Sequence, residues 1–193
     1  MLKVITAPAT EPVTLADVKA QLGIEASDTA SDVVITRRIA EAREWVENFT
    51  GRALITQTLE FVMDAFPDDE IVIPRPAMQS VVSIKYLDAS NVLQTMSSGD
   101  YEIDTYSAIV HRIRLAYGKA WPTVVLDVWN AVRVQYIAGY GTASAVPGPI
   151  REAIMLIVGH WMNYQPGVES GVTITRIPFA VEHLLAGYRT YDL

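Results

Sequence analysis

The sequence predicts an α+β fold: a small helical bundle formed by N- and C-terminal helices, with an antiparallel β-rich insertion between them. Three observations predict it. Apolar residues recur at helical spacing near both ends, the apolar period falls to two in the middle, and turn-forming residues separate the short middle segments.

The first helix opens at Thr14-Leu15-Ala16-Asp17, just after Pro12. A threonine with a carboxylate three residues on satisfies the free amides of a helix start. Leu15, Val18 and Leu22 then share one face, and Gly23 ends the helix. After the polar stretch 25–31, Ile35, Ile39, Ala42, Val46 and Phe49 recur at helical spacing. Arg37, Arg38, Glu41, Arg43, Glu44 and Glu47 fall mostly off that face, and Thr50-Gly51 closes this second helix.

From Gln57 the pattern changes. Leu59, Phe61 and Met63 alternate with polar neighbours, as in a half-buried strand, before the turn Pro67-Asp68-Asp69. Further strands are expected at 71–73, 81–87, 92–96, 101–104, 109–115 and 131–137. The turns Asp88-Ala89-Ser90-Asn91, Ser98-Gly99-Asp100 and Tyr117-Gly118 separate several of them, which predicts antiparallel meander pairing.

Helical periodicity returns after Val146-Pro147-Gly148, with Pro149 suited to a first turn and Ile150, Ala153, Ile154, Ile157, Val158 and Trp161 on a broad apolar face. Pro166-Gly167 is expected to terminate this third helix. A Gly/Ser/Thr stretch, 166–175, leads to Ile177-Pro178-Phe179 and a short last helix striped by Val181, Leu184, Leu185 and Tyr188. The apolar helices at the two ends must meet to bury their stripes. The chain thus divides into an N-terminal helical part of the core (1–56), a β-rich insertion (57–141), and C-terminal helices that complete the core and supply a docking tail (142–193).

Composition narrows the function. The chain has 193 residues, enough for one domain carrying an insertion. At 50% hydrophobic and 19% charged it is too apolar to be disordered, and some apolar surface is left for partners. The absence of cysteine removes disulfides, thiolate metal ligands and a cysteine nucleophile, and fits a reducing cytosolic origin. The N-terminus lacks an apolar signal core and the apolar run 150–162 is too short for a bilayer, so neither export nor membrane insertion is expected. Acids outnumber Lys and Arg by 22 to 15, a net charge of -7, which argues against sequence-specific DNA binding.

Residues able to do chemistry are scattered. His111, His160 and His183 have no partner at metal-ligand spacing, and Gly139-Tyr140-Gly141 lacks the third glycine and following helix of a dinucleotide site. Asp68-Asp69-Glu70 reads as a solvated turn, and Asn48-Phe49-Thr50 as a chance match to a glycosylation acceptor. The expectation is a non-enzyme without cofactor or metal. Phe179, Leu184, Leu185, Tyr188 and Tyr191 remain as interaction surface, readable either as a docking arm or as closure of the subunit's own core.

The order of segments carries a resemblance. Pro12-Val13-Thr14-Leu15-Ala16-Asp17-Val18-Lys19 opens it, and Ala42-Arg43-Glu44-Trp45-Val46-Glu47 followed by Thr50-Gly51-Arg52-Ala53-Leu54 closes the second helix. Gln57-Thr58, Ile73-Pro74-Arg75-Pro76, the strand from Val81 to Tyr86, and Val134-Gln135-Tyr136-Ile137-Ala138-Gly139-Tyr140-Gly141 follow. Pro149-Ile150-Arg151-Glu152-Ala153-Ile154 and Ile177-Pro178-Phe179 before Leu184-Leu185 and Tyr188-Arg189 complete it. In this order and spacing the chain resembles the head-tail connector (adaptor, or head-completion) proteins of tailed bacteriophages, prophages and gene transfer agents.

The resemblance implies a structural subunit of a ring of roughly twelve copies. The ring would be bound under the portal, extend the DNA channel and provide the platform for the next head-closure or tail protein. It implies a place in the virion neck after assembly in the host cytoplasm, with DNA passing through without sequence-specific binding. By position, Phe179, Leu184, Leu185, Tyr188 and Arg189 are the candidates for portal docking. Two alternatives stay open: a neck stopper or tail-completion protein, and a small hydrolase or ligand-binding domain using Trp121, Trp129, Tyr101 and Asp104.

Overall fold

The structure, a computed structural model, describes residues 1–104, 106, 110–125, 128–163 and 179–190. The elements run β1 (Leu2–Thr6), α1 (Leu15–Leu22), α2 (Asp32–Thr50), β2 (Gln57–Met63), β3 (Glu70–Ile73), β4 (Met78–Leu87), β5 (Leu93–Thr95), β6 (Tyr101–Ile103), β7 (His111–Leu115), β8 (Val132–Ala138), α3 (Gly148–Asn163) and α4 (Phe179–Leu185). The α+β class is as the sequence predicts. The expected stop at Pro166-Gly167, the stretch 166–175, Ile177-Pro178, Tyr191 and the start of the 109–115 strand lie outside the described residues.

The chain separates into two compact units, one formed by Met1–Ala9 and Thr56–Tyr140, the other by Thr10–Ile55 and residues from Gly141 on. The first nine residues thus belong to the β unit, not to the helical part. Sequence periodicity missed β1 because Lys3, Val4, Ile5 and Thr6 are all exposed on this edge strand, which leaves no alternation to read.

In the helical unit α3 packs against α1, α2 and α4. Its face of Ile150, Ala153, Ile154, Ile157 and Val158 is fully buried, as are Ile35, Ala42 and Val46 of α2. Each of these isoleucines and valines contributes roughly 1.5–3 kcal/mol by leaving water. The start of α1 is a capping box: the Asp17 amide donates to Thr14 Oγ1 at 3.1 Å, and Asp17 Oδ2 accepts from the Thr14 amide at 2.9 Å. Gly23 and Gly51 end α1 and α2 in the left-handed conformation, at φ 69° and 70°.

Two features of this unit depart from a plain apolar stripe. Lys19 is buried, its Nζ held by Asp32 at 2.6 Å and by the Asp28 carbonyl at 2.6 Å. Arg43 and Glu47 face inward too: Arg43 donates to Glu11 at 2.8 Å and to Glu47 at 2.9 Å, while Glu47 also accepts from the Leu54 amide at 2.9 Å. A charge may sit in a core when its whole hydrogen-bonding capacity is met there, and binary patterning does not reveal that in advance.

The β unit holds a five-stranded sheet ordered β1-β2-β8-β4-β5 and a three-stranded sheet ordered β3-β7-β6, with every pairing antiparallel. The expected meander is realised in β4–β5 and β6–β7 alone among the insertion's strands. After Met63 the turn at Pro67-Asp68-Asp69 carries the chain into the second sheet instead of folding it back on β2, and β8 returns later to fill the space between β2 and β4. Turn residues mark where a strand stops, not which strand it pairs with next. Val132, Val134, Tyr136 and Ala138 of β8 are fully buried on one face, opposite Ile84 and Leu59, also fully buried. This face turns toward the second sheet. The Tyr136 hydroxyl donates to the Pro74 carbonyl at 2.6 Å, and Tyr86 meets Phe66, which stacks on Trp121 at 4.8 Å. Burial, against a weaker opposing pull from Arg75, pushes the Tyr136 phenol well above its ordinary pKa.

Candidate assembly interface

The docking residues anticipated from the sequence lie on α4 and the turn after it, and the structure divides them. Val181 and Leu185 are spaced one helical turn apart and are fully buried in the helical unit, so Leu185 serves the subunit's own core and is unavailable to a partner. Leu184 and Tyr188 are half-buried, and Arg189 is exposed. Phe179, at the start of α4, is 83% exposed. The ring is thus left in water on a helix whose opposite side is core.

The residues after α4 are tied to the end of α2. Arg52 Nε donates to the Tyr188 carbonyl at 2.6 Å, and the Thr190 amide and hydroxyl donate to the Thr50 carbonyl at 2.8 and 3.0 Å. The Arg189 guanidinium lies 4.9 Å from the centre of the Phe49 ring, which stacks on Trp45 at 4.9 Å and 13°. The clamp occupies carbonyls at the end of α2 that have no partner within the helix. From sequence, Thr50-Gly51-Arg52 reads only as a helix stop; its partner lies 140 residues away, beyond the range of any local pattern.

The residues of the ligand-site alternative do not converge. Asp104 borders an open depression of about 450 Å³ on the second sheet together with Glu70, Glu102, Tyr106, Arg112 and Arg114. Trp121 is stacked on Phe66, Trp129 is 83% exposed on a turn, and neither they nor Tyr101 line it. The rim charges are matched to one another: Arg112 with Glu70 at 2.9 Å and Arg114 with Glu102 at 2.8 Å. Among the described residues no group of three His, Cys, Asp or Glu side chains could hold a metal ion, and no helix is long and apolar enough to cross a membrane.

Comparison with known proteins bears on the whole chain. Residues 12–114 match the family described as phage gp6-like head-tail connector protein. Among solved structures, the fold is similar to a chain in the neck of an empty gene transfer agent particle computed with C6 symmetry, at 21% identity and a TM-score of 0.81 over 100% of this chain and 97% of that one. It is similar as well to a chain of the native gene transfer agent virion (21%, TM-score 0.79) and to one in a native particle neck computed with C12 symmetry (22%, TM-score 0.74), with the same coverage. No curated protein matches.

Proposed function

The chain belongs to the phage gp6-like head-tail connector protein family, a structural connector class, and from that premise we propose that it is the subunit of a homo-oligomeric ring seated under the portal of a virion neck. The ring extends the DNA channel and presents a platform to the next head-closure or tail protein. Assembly takes place in the host cytoplasm. Geometry does the work: a head-to-tail contact repeated by a fixed rotation closes on itself, and the symmetry of the ring multiplies each modest contact with the portal.

The observation that carries this reading is an end-to-end likeness of fold to chains of symmetric particle necks, joined to the family match. Phe179, supported by Leu184, Tyr188 and Arg189, forms the portal-docking face, and Leu185 drops out of it. The net charge of -7 suits a conduit, because a wall that grips phosphates slows the passage of DNA.

The test is co-purification of the full chain with its portal protein. Phe179→Ser is expected to abolish capture while leaving the unfolding midpoint in place. Wild-type protein that neither binds the portal nor appears in the neck of assembled particles overturns the reading.

A further inference from the structure

The outer face of the five-stranded sheet carries a pairing that its own subunit does not explain. Lys85 of β4 and Arg133 of β8 stand directly opposite each other across an antiparallel pair, on the face away from Tyr136 and Ile84. Like charges in that position repel and destabilise a sheet. Lys3 of β1, by contrast, stands opposite a carboxylate, Glu60 of β2. Among the described residues neither Lys85 nor Arg133 has a side-chain hydrogen bond or an ion pair, although both are half-buried. In a chain with seven more acids than bases, 22 against 15, two adjacent cations that make no ion pair within the described residues offer a place for a carboxylate from outside.

The chain itself carries a matching group. Asp68 and Asp69 are exposed in the turn before β3, and among the described residues their side chains have neither a hydrogen bond nor an ion pair. That turn leads into the second sheet, which lies over the inner face of the five-stranded sheet, whereas Lys85 and Arg133 project from the outer face. The two charge groups therefore lie on opposite sides of the β unit. Complementary patches on opposite sides give a heterologous contact, the kind that propagates from copy to copy.

We propose that Lys85 and Arg133 of one subunit receive the Asp68-Asp69 turn of a second copy of this chain. The occupant is protein, not nucleic acid. The same face bears Glu60 and the 47% exposed Leu93, a mixture that suits a protein surface, whereas a phosphate track needs a run of cations. The inference deepens the ring reading by naming one of its contacts, and it rests on that reading only for the identity of the two partners.

Because the chain has no cysteine, the contact can be tested by mixing full-length Lys85→Cys protein with full-length Asp69→Cys protein and treating the mixture with a short bis-maleimide, while the mass of the untreated wild type is recorded. The expected result is a cross-linked pair of unlike variants that disappears when Arg133→Glu is added to the Lys85→Cys chain. In the Lys85→Cys chain the like-charge pair is already gone and position 133 is only half-buried, so an unfolding midpoint equal to that of Lys85→Cys alone checks that the fold survives Arg133→Glu. Rings that form without the mixed cross-link overturn this inference and leave the ring reading standing. The cross-link in open chains that never close supports the contact and overturns the ring. No association and no cross-link overturn both, and a DNA duplex bound through Arg133 in place of the cross-link overturns the protein occupant.

Discussion

Thr190 occupies the space that a side chain on Gly51 would need: a β-carbon built on Gly51 collides with the Thr190 hydroxyl, and Gly51 has a φ of 70°. The glycine is thus required twice, for the left-handed end of α2 and for the approach of the C-terminal segment that hydrogen-bonds to Thr50. Gly51→Ala is expected to cost about 1–3 kcal/mol. Proteolysis should reach the last residues sooner in the variant. A thermal midpoint and a digestion rate equal to the wild type would show that the clamp does not hold the segment.

Arg43 joins two acids of the helical unit, Glu11 and Glu47. Burial opposes its charge, but Glu11 and Glu47 outweigh that and keep its pKa above the ordinary value. Removing it takes an ion-pair partner from Glu47, whose side chain is 3% exposed, and from Glu11, at a cost of about 3–5 kcal/mol in urea unfolding. Arg43→Met combined with Glu47→Gln should lose less than Arg43→Met alone, since the Leu54 amide keeps an acceptor and one fewer buried charge loses its partner. By contrast, Arg37→Ala breaks an exposed pair with Glu41 and should change stability by less than about 0.5 kcal/mol.

The capping box predicts a pH dependence with a definite sign. The Thr14 hydroxyl, then the Thr14 amide, hold the Asp17 carboxyl below its ordinary value of 3.8. A depressed folded pKa gives stability that is present above the unfolded value and lost as pH falls through the folded one. The advantage of the wild type over Asp17→Asn in unfolding midpoint should therefore be full at neutral pH and shrink on acidification below about pH 4. Glu11 runs the other way. Burial, outweighing the pull of Arg43, raises it above its ordinary 4.5, so its contribution falls as pH rises through the folded value. A difference between wild type and Asp17→Asn that does not vary with pH would remove the cap from the account.

Two residues of α4 separate assembly from folding. Leu185→Ala empties a fully buried site and is expected to cost about 2–5 kcal/mol whether or not a partner is present. Phe179→Ala, at an 83% exposed site, should change the isolated chain by less than about 0.5 kcal/mol. Its effect belongs in portal capture. Equal destabilisation by the two would mean that Phe179 serves the subunit's own core.

The elements legible in the sequence were those whose residues carry their own explanation. Thr14 with Asp17, Gly51 after Thr50, and the alternation along Gln57–Met63 each state a local preference, and the structure honours them. What escaped was set by partners distant in the chain. β1 exists because β2 offers it an edge, Arg43 and Glu47 are inside because Glu11 and Leu54 meet them, and β8 pairs with β2 and β4 across long intervals. The same limit holds at the candidate interface. Leu184, Leu185 and Tyr188 form one stripe in the sequence, yet packing alone decides that Leu185 turns inward while Phe179 is left in water.

The central claim is that the chain acts by closing on copies of itself, and native mass measurement of the purified protein, alone and with its portal, tests it most directly. A single closed species is expected on the portal, of about twelve copies. A chain that stays monomeric in both conditions, or binds the portal as one isolated copy, would contradict it.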